Sequence, residues 1–340
     1  MQRTSYFLRA GNVKNLKPVS QELPEPGEQE VTIAVKAIGL NFADIFAITG
    51  LYSATPKEAF VPGLEYSGEI LKVGKGVTRW KPGDQVMGVT RFGAYTTHLN
   101  IDQRYVTPLP AGWSLEQGAS YLVQVLTAYY ALFNLGDLKE GQTVLIHSAA
   151  GGVGIFANRI AKKRGAFTIG TVGSPAKVDF CKAEGYDRVI VRGTDFKKQL
   201  EETLAGRPLH LVLDPIGGEV LQAGYDLMAP MGRLVVFGSA RYGFRGDRPP
   251  MLSLIWKFLT RPKIDPQAMT SDNKSVMGFN LIYLFEHANL MHEILADLEQ
   301  MKLKPPHVGH TYTFEQLPEA IKYFQKGENL GKIVVRLLGY

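Results

Sequence analysis

Val144 to Gly154 reads VLIHSAAGGVG, and the reading of this stretch decides the fold. Val144, Leu145, Ile146 and His147 suit a short buried parallel strand; small residues follow at once, and Ile155 to Arg164 carries the pattern of a helix. Strand, glycine turn and helix in that order offer unbonded backbone N–H groups and a positive helix end to an anion. The spacing is A-x-G-x-x-G, with Ala149 where a dinucleotide fingerprint more often has its first glycine. Gly151 lets a pyrophosphate approach the backbone, Gly154 lets the helix pack on its strand, and Ala150, Gly152 and Val153 complete the turn. Such a spacing also occurs in ordinary turns, so its weight comes from its surroundings.

Downstream, strands are expected at 143–147, 167–172, 188–191, 209–213 and 233–237 with helices between them. That alternation predicts an α/β unit of Rossmann type, a parallel sheet covered on both faces. Upstream, residues 1 to about 110 are β-rich: Val31–Leu40, Glu69–Val73 and Tyr95–Ile101 read as strands, separated by Pro26-Gly27, Pro62-Gly63 and Pro82-Gly83-Asp84. Asn41–Thr49 reads as a short helix among them, and the whole as a compact barrel-like domain. Ser114–Phe133 is the first long helical pattern, with Ser114 and Gln117 as a capping box. Residues 241–275 are less regular. Within them MLSLIWKFLTRPK (251–263) predicts an amphipathic helix with a basic side, packed on the body in preference to a peripheral membrane contact, since one short segment anchors weakly. Helices are expected again at about 285–301 and 314–326. The closing GKIVVRLL is a strand able to rejoin the first domain, which would make that domain discontinuous.

The chain has 340 residues, 45% hydrophobic and 21% charged, enough for two domains with cores of their own. Its net charge of +6 is spread without a dense Lys/Arg run, so nucleic-acid binding is not indicated. The lone Cys181 excludes an internal disulfide and suits packing in the helix 177–184. No signal-peptide core or membrane-length apolar span is present, and a soluble, cytoplasmic protein is expected.

The second strand of a dinucleotide unit sets the cofactor. An acid at its end favours a free ribose 2′-hydroxyl and repels a 2′-phosphate. Here that end reads GTVGSPAK (170–177), with no Asp or Glu from Ala166 to Lys177. Gly173 leaves room, Ser174 can donate a hydrogen bond and Lys177 supplies a cation; Arg192, after the next strand, is a second candidate with a fork suited to phosphate. The set predicts NADPH.

These pieces join a longer series: GLNFAD (39–44), GLY (50–52), VPGLEYSG (61–68), KPGDQV (81–86), LTAYY (126–130), AAGGVG (149–154), DPIGG (214–218), FGS (237–239) and NLGK (329–332). The chain thereby resembles the zinc-free quinone oxidoreductase branch of the medium-chain dehydrogenase/reductase superfamily, with segment 278–280 closest to its vesicle amine transport protein-like subgroup. The resemblance implies a Rossmann domain (125–264) inserted in a GroES-like catalytic domain (1–124 and 265–340). Alcohol dehydrogenases of the superfamily hold a catalytic zinc through a Cys and a His where this chain has Asn41 and Leu64, and one cysteine cannot build their four-cysteine lobe. No metal is expected.

The resemblance implies hydride transfer from NADPH to a quinone, with an alkenal or enone reductase, or a non-catalytic NADPH-binding protein associated with RNA or vesicles, as alternatives. It places Asn41 and Tyr52 at the cleft as catalytic candidates, Asn41 also touching the cofactor. It adds Thr127, Phe237, Gly238, Ser239, Phe279 and Asn329 to the cofactor set, and it implies a homodimer. Arg192 and Phe46 stand where many relatives have tyrosine; His147 and His98 lack a partner pattern and read as structural.

Overall fold

The computed structural model describes residues 1–339. Two large sheets organise it. A six-stranded parallel sheet has the spatial order Arg188–Val191, Phe167–Val172, Thr143–Ile146, Leu209–Asp214, Met228–Val236, Ser275–Gly278. Its first strand in the chain, Thr143–Ile146, is central. The chain builds outward from it on one side, then returns to its other flank. That reversal leaves a crevice beyond the carboxyl ends of Thr143–Ile146 and Leu209–Asp214, where open α/β sheets take ligands. The strands are near-continuous apolar runs, as burial on both faces requires: Val144, Leu145, Ile146, Leu211, Val212 and Leu213 are all inaccessible.

The other sheet is built mainly from the first third of the chain. Glu30–Gly39 lies at its middle, antiparallel to Glu65–Val73, to His98–Asp102 and to the C-terminal Lys332–Arg336. The last strand does rejoin the first domain, and its other edge carries Val308–Thr313 in parallel. This is the GroES-like barrel, with a separate core around Ile33, Tyr66, Ile70 and Tyr95.

Several sequence expectations change in detail. The helix expected over 114–133 is broken: Ser114 and Gln117 cap Leu115–Gly118 as predicted, but a new helix starts at Leu122–Tyr129 and widens into a π-turn over Tyr130–Leu135. The break lets the Ala119 carbonyl sit against the backbone of Gly39, where a β-carbon would lie 1.8 Å from it. Val123, in the first turn of the new helix, donates its N–H to the Glu65 carboxylate (3.1 Å).

The expected boundary at 264 falls too early. Ser275–Gly278 is the sixth strand of the parallel sheet, and Ala288–Met301 packs in the same core as Gly152–Lys163. The helix in 251–263 forms over Met251–Leu259 and stops before Arg261-Pro262. It packs on the body by one narrow side only: Leu254 is buried and the Lys257 ammonium donates to Arg241 O (2.8 Å), while six large apolar side chains of the helix stay exposed. Cys181 is fully buried, and burial pushes its thiol up to about 11.

Candidate functional site

A single cavity of about 1560 Å³ runs along the crevice between the two sheets. At its centre the VLIHSAAGGVG segment folds as strand, turn and helix. Ser148 takes a left-handed conformation (φ 54°), turning the chain sharply between strand and helix. The first bond into the helix is donated by Ile155 N to Gly151 O (2.9 Å), so the N–H groups of Gly152, Val153 and Gly154 fall in its unbonded first turn. Gly154 is required by packing, since a β-carbon there would meet Ser148 O at 2.5 Å. At Gly151 a β-carbon would meet only Ser148 O at 3.2 Å, so the face toward the cavity is open to close approach. From across the crevice, Gly331 N donates to Ala150 O (2.8 Å), tying the turn to the C-terminal segment.

Beyond the next strand lie Gly173, Ser174, Lys177 and Arg192, all on the cavity wall. The Ser174 hydroxyl caps the turn Pro175–Lys177. The Lys177 ammonium donates to the carbonyls of Gly327 (2.7 Å) and Asn329 (2.9 Å), leaving one N–H. Arg192 is half-buried, donates to Thr171 Oγ1 (2.9 Å) and has no carboxylate within salt-bridge reach among the described residues. Desolvation lowers the pKa of both cations from their ordinary values, so an added anion would relieve each of them. Behind them His147 is buried with Nδ1 on Thr171 Oγ1 (2.8 Å) and Nε2 without a hydrogen-bond partner among the described residues; burial and then Arg192 hold it down at about 3, neutral.

The floor of the cavity is a buried polar network. Lys332 Nζ donates to Glu65 Oε1 (2.6 Å), Leu40 O (2.6 Å) and Asn41 Oδ1 (3.0 Å). Glu65 Oε1 also accepts from Asn41 Nδ2 (3.0 Å) and Gln124 Nε2 (3.1 Å), and Gln124 Nε2 reaches Asn41 Oδ1 (2.6 Å). Asn41 Nδ2 donates further to Gly39 O (3.2 Å). The Asn41 amide thus has both N–H groups and both oxygen lone pairs engaged. The expectation that it donates to an acceptor or to the cofactor is not met by this geometry; its side chain holds the floor together. Beneath it, Asp44 Oδ2 accepts from Asn41 N (2.8 Å) and Tyr95 OH (2.9 Å), while burial pushes the carboxyl up to about 7.

The opposite end is apolar and aromatic. The Tyr52 hydroxyl donates to Asn280 Oδ1 (2.7 Å), joining the first domain to the segment after the sixth strand, and burial raises it to about 12, so it stays protonated. Phe279 packs against Tyr130 (ring centroids 4.9 Å) and Phe237 (5.8 Å). Gly238 and Ser239 continue from Phe237 at the carboxyl end of Met228–Val236, and Gly238 lies tight against Pro215. Thr127 donates back to Val123 O (2.7 Å), which leaves its oxygen able to accept. Asn329 donates to Gly331 O (2.9 Å). Every residue expected at the site from the sequence borders this one cavity.

Glu65, Gln124 and Lys332 are the members the sequence reading missed. The signal was present: a glutamate inside VPGLEYSG and a lysine opening KIVV each put a charge at the start of a buried strand. Among the described residues no three His, Cys, Asp or Glu side chains cluster in a way that would hold a metal.

Residues 27–111 match the family model of the alcohol dehydrogenase GroES-like domain, and 152–291 that of the zinc-binding dehydrogenases. The chain is 32% identical over 317 residues to the human synaptic vesicle membrane protein VAT-1 homolog, covering 92% of this chain and 80% of that one. It is 33% identical over 297 residues to a quinone oxidoreductase of Pseudomonas aeruginosa, covering 86% and 91%. A mycobacterial protein solved in complex with NADPH superposes with a TM-score of 0.85 at 27% identity, covering 98% and 99%.

Proposed function

The chain belongs to the medium-chain dehydrogenase/reductase superfamily, and from that premise we propose that it is an NADPH-dependent oxidoreductase whose acceptor is a quinone. The observation that carries the cofactor half is Arg192, a half-buried guanidinium with no carboxylate within salt-bridge distance among the described residues and only the longer-range charge of Asp214 to offset its burial, at the end of a strand pair that lacks the usual acid. With Lys177 and Ser174 it suits a 2′-phosphate, while the free N–H groups of Gly152, Val153 and Gly154 suit the pyrophosphate. When bound, the nicotinamide supplies a hydride.

The chain's own residues would do the rest. Phe237, Gly238, Ser239, Thr127 and Phe279 border the space for the nicotinamide half, and Asn329 the crossing between the domains. The aromatic wall excludes water and suits a flat, apolar acceptor. Tyr52, protonated at every working pH, is the donor nearest the acceptor end and would hydrogen-bond an oxygen on which negative charge grows. That requires it to exchange Asn280 for the acceptor. We read the reaction as metal-independent because Leu64 has no donor atom and the Asn41 amide is engaged on every side. A homodimer formed through the Ser275–Gly278 edge belongs to the same reading.

Anaerobic stopped-flow oxidation of NADPH, beside NADH, with parallel quinone and enone series tests it. The expected result is faster turnover with quinones and a preference for NADPH. Turnover confined to enones would reassign the acceptor, and NADPH binding without turnover on any acceptor would make the protein a non-catalytic cofactor binder.

A further inference from the structure

We propose that the Met251–Leu259 helix docks this protein on an anionic lipid surface. Met251, Leu252, Ile255, Trp256 and Leu259 fall at i, i+1, i+4, i+5 and i+8, a single contiguous arc of the helix. All five are exposed, Leu252 to 87% and Trp256 to 68%, on a nine-residue helix whose one buried member is Leu254. Large apolar side chains concentrated on one exposed face are the mark of an interaction surface.

The surrounding charge says what covers it. From Asp247 to Asp265 there are four cations, Arg248, Lys257, Arg261 and Lys263, and an acid only at each end: Asp247, paired with Lys14 (3.1 Å), and Asp265, which caps the next helix. Lys257 lies along the helix flank with its ammonium on Arg241 O (2.8 Å), and the Arg261 guanidinium lies over the Phe258 ring at 3.7 Å. Arg248, Arg261 and Lys263 are exposed. An apolar stripe edged by cations fits acyl chains beneath acidic headgroups. A second copy of the chain fits it poorly. In a two-fold contact the same patch meets itself, so these cations would face their own copies with no acid on the helix to offset them. Leu254, on the helix's inner side, borders the cavity, as do Met251, Ile255 and Phe258. Docking therefore sets the cavity mouth against the lipid; that a lipid-dissolved quinone enters there rests on the proposed acceptor, whereas the docking itself does not.

The test is co-sedimentation of the full chain with phosphatidylcholine vesicles, with and without about 30 mol% phosphatidylserine. Tryptophan fluorescence is read in parallel: of the three tryptophans Trp256 is exposed, Trp80 buried and Trp113 half-buried, and the shift assigned to Trp256 is the part that Leu252→Ser/Trp256→Ser removes. Expected are binding to the acidic vesicles with a blue shift, loss of about a hundredfold in affinity for Arg248→Gln/Arg261→Gln/Lys263→Gln, and loss of at least about tenfold for Leu252→Ser/Trp256→Ser. Rising salt from about 50 to about 500 mM should weaken binding. Neither variant touches a residue that lines the cavity, so both should oxidise NADPH with a water-soluble quinone at the parent rate in vesicle-free buffer. Absence of vesicle binding at low salt, equal binding to the neutral vesicles, or a dimer in light scattering that Leu252→Ser/Trp256→Ser dissolves would each overturn the proposal. Absence of quinone turnover in the parent would sink the acceptor assignment and leave the vesicle result standing.

Discussion

Lys332 and Glu65 form an ion pair of 2.6 Å within the barrel sheet, on the two strands that flank Glu30–Gly39, with side chains 5% and 1% exposed. Gln124, from the helix that leads toward the parallel sheet, and Asn41, from the barrel, both bond to this pair. The pair is therefore a structural joint as well as the cavity floor. Removing one partner leaves the other charge buried and uncompensated, which typically costs about 3–5 kcal/mol.

Lys332→Met should accordingly lower the unfolding free energy by about 3–5 kcal/mol. The double variant Lys332→Met/Glu65→Gln should lose less than the sum of the two single losses. Urea denaturation of the four proteins checks both statements.

Two buried groups give opposing pH dependences. Asp44, raised from 3.8 to about 7, keeps a proton in the folded chain that the unfolded chain has released; its stabilisation is full below 3.8 and lost as pH rises through about 7. His147, lowered from 6.5 to about 3, stays neutral when folded; its stabilisation is full above 6.5 and lost as pH falls toward about 3. Between those limits the two slopes offset one another. Asp44→Asn should therefore gain stability relative to the parent as pH rises from about 4 to about 7, by about 1–3 kcal/mol, and His147→Asn should lose it over the same interval. Urea midpoints across that range, parent against variant, give the sign directly.

Arg192→Ala removes a charge-assisted contact of the kind that contributes about 1.5–3 kcal/mol. The Kd for NADPH should rise about 10- to 100-fold, with NADH changed by less than about threefold. Fluorescence titration with both nucleotides measures the ratio, and an equal loss for the two would remove Arg192 from the 2′-phosphate site.

Tyr52→Phe deletes the hydroxyl that donates to Asn280. We expect quinone turnover to fall about 10- to 100-fold with NADPH affinity unchanged. Steady-state kinetics beside a binding titration separate the two effects; parent-level turnover with every acceptor would leave Tyr52 a wall residue.

What was legible in the sequence was what is local. The Ser114–Gln117 capping box spans one helical turn, and the turn at Gly151 and Gly154 is set by its own neighbours. The residues at the ends of Thr143–Ile146, Phe167–Val172 and Arg188–Val191 follow from the same local pattern, whereas Asn41, Tyr52, Thr127, Phe237, Gly238, Ser239, Phe279 and Asn329 were implied by the family resemblance; all of them border one cavity. The state of Asn41 was not legible, because it depends on Glu65, Gln124 and Lys332, brought together only by folding. The break after Gly118 answers to Gly39, far back in the chain. The sixth strand, Ser275–Gly278, is too short to show a period of two, so the domain boundary was set before it.

One contact bears on how the crevice works. Gly331 N is bonded to Ala150 O, and Lys177 grips the carbonyls of Gly327 and Asn329, so the C-terminal loop is stitched to the second domain at the nucleotide end. The two ends of the crevice are thus closed by different means: backbone carbonyls and a half-buried ammonium at one, and two side-chain hydroxyls, Tyr52 on Asn280 (2.7 Å) and Tyr283 on Ser53 (3.0 Å), at the other. The aromatic end is the one that single side-chain changes can unfasten, since the opposite seam draws most of its acceptors from the main chain and keeps them whatever residues stand there.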